Sequence, residues 1–145
     1  MIAPSLELHL LGAPQIILAG RPLMAMMPVK AQALLFYLAV TARPHTRATL
    51  AALLWGDVTD EAARANLRKA LQPLREHFSP WLRIERDAVS MAPGADYWVD
   101  AVAFHAAMLD ADGSSNDQLR RAVDLYRGDL LEGFYVRSAP DFEAW

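Results

Sequence analysis

Residues 63–75 read Ala-Arg-Ala-Asn-Leu-Arg-Lys-Ala-Leu-Gln-Pro-Leu-Arg. Advancing each residue by ~100° around a helix axis sorts them by face. Leu67, Leu71, Leu74 and Phe78 share one arc, suited to packing on a core. Arg64, Arg68 and Arg75 share a neighbouring arc, with Gln72 beside them. A helix anchored from behind and carrying a row of guanidinium groups fits a groove of duplex DNA. Arg bridges the acceptors of guanine or clamps phosphate oxygens. A surface helix with solvated charges has the same pattern, so the flanking segments must decide.

The chain of 145 residues holds one ordinary domain, or a small domain and part of another. Apolar residues make up 54 %, enough for a packed core. Without cysteine there are no disulfides or thiolate metal sites, and a reducing, cytoplasmic setting is expected. The start Met1-Ile2-Ala3-Pro4 lacks the basic opening of a signal peptide, and the apolar run 31–40 is too short to span a bilayer. No membrane association is expected. The net charge of −3 is unevenly spread. Residues 1–98 carry ten Lys/Arg against eight Asp/Glu, and residues 99–145 four against nine. The basic excess therefore lies with the arginine helix, and whole-chain pI is a poor guide to partners.

Alternation in Leu6-Glu7-Leu8-His9-Leu10 predicts a strand, and Gln15-Ile16-Ile17-Leu18 a second. A third is expected at Leu23-Met24-Ala25-Met26 after the turn at 20–22, giving a small antiparallel sheet. Pro28 suits the first turn of a helix reaching about residue 42, with Leu34, Leu35 and Tyr37 or Leu38 inward. Thr46 is the expected cap of a short helix over 47–55 that buries Leu50, Leu53 and Leu54 and stops at Gly56. Thr59 caps the arginine helix, whose positive end Asp60 and Glu61 complement. Residues 82–86 and 88–91 alternate about Asp87 as a β-hairpin. Sheet, three helices and hairpin in this order describe an α+β winged helix, whose last helix enters the major groove while the hairpin touches flanking backbone.

Pro93-Gly94-Ala95-Asp96 marks a boundary. Beyond it an all-α segment is expected: helices over 99–109 and 117–127, joined by a polar loop. The second helix shows a stripe of Leu119, Ala122, Val123 and Tyr126, a capping box of Ser115 with Gln118, and a stop at Gly128. Residues 130–145 keep Leu131, Phe134, Tyr135, Phe142 and Trp145. So few short helices bury little alone, and the segment is expected to be truncated.

The same residues resemble a known family. Leu8-His9-Leu10-Leu11-Gly12, the run 30–39, Leu53-Leu54-Trp55 and the run 63–68 are similar to the N-terminal domain of SARP-type bacterial transcriptional activators, an OmpR-like winged helix. Val99-Asp100 with Phe104, and residues 125–133, resemble the start of the bacterial transcriptional activator domain, a helical tetratricopeptide-like module. The resemblance implies a winged-helix DNA-binding domain over 1–95 and the first helices of the activator domain over 96–145. It further implies activation of transcription through direct repeats near a promoter, with double-stranded DNA and RNA polymerase as partners and self-association on tandem sites. By position, Arg64, Arg68, Lys69, Gln72 and Arg75 then lie on or near the DNA side of the recognition helix. Arg83 and Arg86 belong to the wing, and loop 56–59 corresponds to the segment that touches polymerase in OmpR-like proteins.

Pro73 departs from the family pattern. It removes the N–H that would reach the carbonyl of Lys69, a loss of ~3 kcal/mol or more unless compensated. A bend that re-aims Arg75 is expected. His9, His45, His77 and His105 are scattered without zinc spacing, and Asp110-Ala111-Asp112-Gly113 has its Gly too early for a calcium loop. No phosphate-binding loop or nucleophile elbow occurs, so neither catalytic residues nor a cofactor nor a metal are expected and an enzyme is not. The alternative function is a winged helix used as a protein-interaction module, with little or no DNA binding.

Overall fold

A computed structural model describes residues 6–24, 27–109 and 116–145. Contacts divide the chain into two compact units, Met1–Ala25 with Asp96–Phe134 and Met26–Ala95 with Tyr135–Trp145.

In the first unit, β1 (Leu6–His9), β2 (Gln15–Leu18), β3 (Arg21–Pro22) and β7 (Tyr97–Val99) form a sheet in the order β3-β2-β1-β7. β1 and β2 run antiparallel with Leu6 opposite Leu18, and Leu6 and Leu8 point into the core as their alternation requires. The third strand is Arg21–Pro22, where Arg21 pairs with Leu18 and Pro22 with Ile17, and Leu23 and Met24, expected to open it, are not in a strand. Residues 25 and 26 lie outside the described residues. β7 pairs parallel to β1, Leu8 opposite Val99, so the segment after residue 95 opens as a strand and is not all-α.

Helix α4 (Asp100–Leu109) starts immediately after β7. Asp100 is 1 % exposed, and its carboxylate accepts from three backbone amides: Leu10 at 2.7 Å, Leu11 at 3.0 Å and Ala101 at 2.7 Å. A buried carboxylate persists only when its oxygens are satisfied, and here it ties the end of β1 to the start of α4. Helix α5 (Asn116–Leu125) ends short of Gly128. Ala122 is buried, but Val123 is 69 % and Tyr126 49 % exposed, so the expected stripe is not an inward face; the Leu119 side chain lies outside the described residues. The Ser115–Gln118 capping box and the loop 110–113 also lie outside them. Past α5 the chain returns to β1, with Gly12 donating to the Asp129 carbonyl at 2.9 Å and Leu131 to that of Leu10 at 2.7 Å. A Cβ on Gly128 would stand 3.0 Å from the Gly12 Cα, which explains a glycine there.

The second unit is built around α1 (Val29–Thr41), which buries Ala31, Ala33–Phe36, Leu38 and Ala39 while Tyr37 is half-buried. Pro28 is its N-cap, one residue before the first turn, and Ala42 closes it in the left-handed conformation. Helix α2 (Arg47–Trp55) and helix α3 (Asp60–Phe78) follow, then a 3₁₀ turn (Ser79–Trp81). Leu50, Leu54 and Trp55 are buried and Leu53 only partly. Gly56 ends α2 with right-handed dihedrals, so its freedom at positive φ is not used. The wing strands β5 (Leu82–Ile84) and β6 (Ala88–Met91) pair about the turn 85–87, closed by Glu85 donating to the Ala88 carbonyl at 2.9 Å. A two-residue strand β4 (His45–Thr46) adds to β6, making the order β4-β6-β5. Helix α6 (Pro140–Ala144) packs against α2 with Phe142 buried. Trp145 meets the Tyr37 ring edge-on at 4.9 Å.

Asp100→Ala orphans three amides, two of them in the core, and should destabilise the first unit by roughly 2–5 kcal/mol. Urea unfolding, with amide exchange at Leu10 and Leu11 as the local readout, measures it. A loss below about 1 kcal/mol would mean that water replaces the carboxylate.

Candidate nucleic-acid interface

Helix α3 has the two faces its spacing demands. Thr59 caps it, its Oγ1 accepting from the Ala62 amide at 3.2 Å, and Asp60 and Glu61 occupy the first turn. Ala63, Leu67, Ala70, Leu71, Leu74 and Phe78 are buried. Arg64, Arg68, Lys69, Gln72 and Arg75 are exposed along the other side. The helix continues through Pro73 to Phe78. Burial of Leu71, Leu74 and Phe78 on both sides of the proline offsets the missing hydrogen bond.

The position of the wing follows from three consecutive residues. The imidazole of His45 is buried, with Nε2 2.8 Å from Thr41 Oγ1. That hydroxyl already donates to the Tyr37 carbonyl at 2.7 Å, so His45 donates and carries its proton on Nε2. The same residue pairs with Val89 of the wing. Thr46 pairs with Ala88 and caps α2, accepting from the Thr49 amide at 3.1 Å. Arg47 donates through its backbone to the Asp87 carbonyl at 3.3 Å and through Nε to the Glu85 carbonyl at 3.0 Å. The hairpin is thereby fastened to the start of α2.

Between these elements lies an open depression of about 350 Å³, lined among others by Thr46, Arg47, Arg64, Arg68, Arg86 and Asp87. It gathers guanidinium groups from α2, α3 and the wing. Burial and the like charges of Arg75 and Arg68 hold the Arg47 guanidinium below its ordinary value, while Asp87 acts in the opposite sense. Arg75 therefore remains within electrostatic reach of the cluster, beyond Pro73. Lys69 and Gln72 are exposed on α3 but do not line the depression. Arg83 does not line it either: its Nε pairs with Glu85 on the wing. Arg47 was not among the residues singled out from sequence. One arginine at a helix start carries no local signal, and its membership depends on a wing about forty residues away.

No protein-family model matches the chain. No curated protein matches it either. Among solved structures it is similar to Mycobacterium tuberculosis EmbR in complex with a low-affinity phosphopeptide, with a TM-score of 0.67 and 22 % identity, over 97 % of this chain and 40 % of that one.

The likeness shows a shared fold. That fold is α+β, and α1–α3 followed by the paired strands β5 and β6 have the winged-helix order. The chain spans two fifths of the EmbR chain's length. Among the described residues no group of three or more His, Cys, Asp or Glu is arranged to hold a metal, and no helix is long and apolar enough to cross a membrane. Lys30, near the start of α1, places its Nζ 5.2 Å from the Trp55 ring centre, a cation–π contact, and does not line the depression.

Acid should loosen the corner that holds the wing. Burial, and secondarily Arg43, lower the His45 pKa below the ordinary 6.5. The unfolded chain then takes up a proton that the folded chain refuses, so stability is full above pH 6.5 and falls as pH drops below it. His45→Phe keeps a ring against Tyr37 and cannot titrate. Chemical denaturation between pH 7.5 and 5 should show a shallower acid loss in this variant, and identical pH profiles would remove His45 as the cause.

Proposed function

We propose that the chain is a sequence-specific DNA-binding transcription regulator and not an enzyme. The observation that carries this is the outer face of α3: Arg64, Arg68, Lys69, Gln72 and Arg75 are exposed on a helix whose opposite side is fully packed. A helix so anchored presents its long side chains with little freedom left in the backbone, which is what base readout in a major groove needs. Arg64 and Arg68, with Gln72 beside them, take base edges, and Lys69 and Arg75 reach the flanking phosphates. Arg86 and Arg83 on the wing touch backbone or minor groove. Residues 1–95 supply this DNA-binding part and residues 96–145 the first elements of an activator domain.

The resemblance to SARP-type activators and the fold shared with EmbR over nearly the whole chain support a regulator. The finer reading, an activator that binds direct repeats near promoters, self-associates on tandem sites and engages RNA polymerase in the cytoplasm, rests on the resemblance alone. Loop 56–59 is suited to the last role, being exposed throughout, with Val58 40 % open to solvent between Asp57 and Asp60.

The proposal separates residues that specify from residues that anchor. Arg68→Ala should reduce the preference for the cognate duplex over random duplex by about 1–3 kcal/mol. Fluorescence anisotropy on both duplexes measures it, and equal losses on both would make Arg68 a phosphate contact. Arg86→Ala should weaken both duplexes alike and flatten the salt dependence. Arg83→Ala should do so less, because Glu85 already competes for that guanidinium. A larger effect at Arg83 than at Arg86 would contradict the proposed docking.

A further inference from the structure

The depression beside the start of α2 is more specific than a basic surface. Four arginines from three separate elements, Arg47, Arg64, Arg68 and Arg86, line one cavity of about 350 Å³, with Asp87 the one carboxylate among its described lining residues. Such an arrangement brings like charges near one another; burial first, then the nearby Arg75 and Arg68, lower the Arg47 pKa, and Asp87 acts in the opposite sense. An anion seated in the cavity would add to the partial compensation that Asp87 gives.

Arg47 is the pre-set member. Its Nε is committed to the Glu85 carbonyl at 3.0 Å, which fixes the plane of the guanidinium and leaves its terminal N–H groups for a ligand. Arg86 approaches from the tip of the wing and is exposed. The wing is fixed to α2 by the Arg47 bonds and by β4, so the fold sets the backbone positions from which both arginines reach the depression. A phosphate presents several acceptor oxygens, so guanidinium groups arriving from α2 and from the wing can share one such anion.

Resting on the DNA-binding function above, we infer that this depression seats one backbone phosphate of the duplex, shared between Arg47 of α2 and Arg86 of the wing. The shared phosphate locks the wing and the helix pair to the same point of the backbone. It sets the register from which Arg64 and Arg68 reach the bases, so Arg47 is a positioning residue without sequence preference of its own.

The sharing has a measurable signature in the salt dependence of binding to a random-sequence duplex. Each phosphate neutralised contributes about 0.9 to the slope of log K against log salt. For one shared phosphate, Arg47→Gln and Arg86→Gln each lose part of that amount, and the double variant loses about 0.9 in total. Two independent phosphates would give about 0.9 for each single variant and about twice that for the double, which would overturn the shared seat. Unchanged slopes would overturn it as well. Arg47→Lys keeps the charge and should keep the slope, which separates charge loss from disturbance of the wing, and Arg86→Gln alters only an exposed side chain. Inorganic phosphate, added alone to the full chain, should raise the thermal midpoint of the wild type and not of the double variant. If wild type shows this protection but no salt-dependent duplex binding, the DNA function fails and the backbone assignment fails with it. Duplex binding with additive or unchanged slopes sinks the shared seat alone.

Discussion

His45, Thr46 and Arg47 form a corner on which the second unit depends. Each residue serves two elements at once. His45 joins the end of α1 to the wing strand β6, through Thr41 on one side and Val89 on the other. Thr46 pairs with Ala88 and begins α2, and Arg47 ties the wing turn to the first turn of that helix. Without this corner the wing would be a two-stranded hairpin, marginal in water by itself, and its distance from α3 would be undefined. With it, the wing becomes the edge of a three-stranded sheet whose third member is two residues long. The arginines of α3 and of the wing then share one surface because His45, Thr46 and Arg47 hold their supports together.

What the residues announce beforehand follows from the range of the forces involved. The faces of α3 are legible because a helix repeats every 3.6 residues, and Leu67, Leu71, Leu74 and Phe78 obey that period. Thr46 and Thr59 are legible as caps because the bond they accept comes from three residues ahead. The hairpin about Asp87 is likewise local. Strands β4 and β7 are not, since each is two or three residues long and exists only through a partner about 40 or 90 positions away. Asp100 looked like part of a helical segment. That its carboxylate clasps the amides of Leu10 and Leu11 is a fact about tertiary proximity. Val123 and Tyr126 kept helical spacing and still faced water, because amphipathic period names a face without naming what covers it. Arg47 escaped notice for the same reason as β4.

Local charge, not net charge, bears on the proposed function. The chain as a whole carries −3, yet Arg47, Arg64, Arg68 and Arg86 gather around one depression with Asp87 as the only carboxylate among its described lining residues. At physiological salt, fields between exposed groups fade within about 8 Å, so the acidic residues of the C-terminal third act only where they lie close to the cluster. The packed leucine face of α3 is what makes this crowding tolerable. Burial of Leu67, Leu71 and Leu74 holds the helix in place against the repulsion on its outer side.

The most direct measurement is a selection of duplexes from a random pool by the purified chain, with the selected sequence footprinted afterwards. Enrichment of a single motif, lost on substitution of Arg64 and Arg68, is the expected result. A folded chain that enriches no motif, or whose enriched motif survives both substitutions unchanged, would contradict recognition through α3.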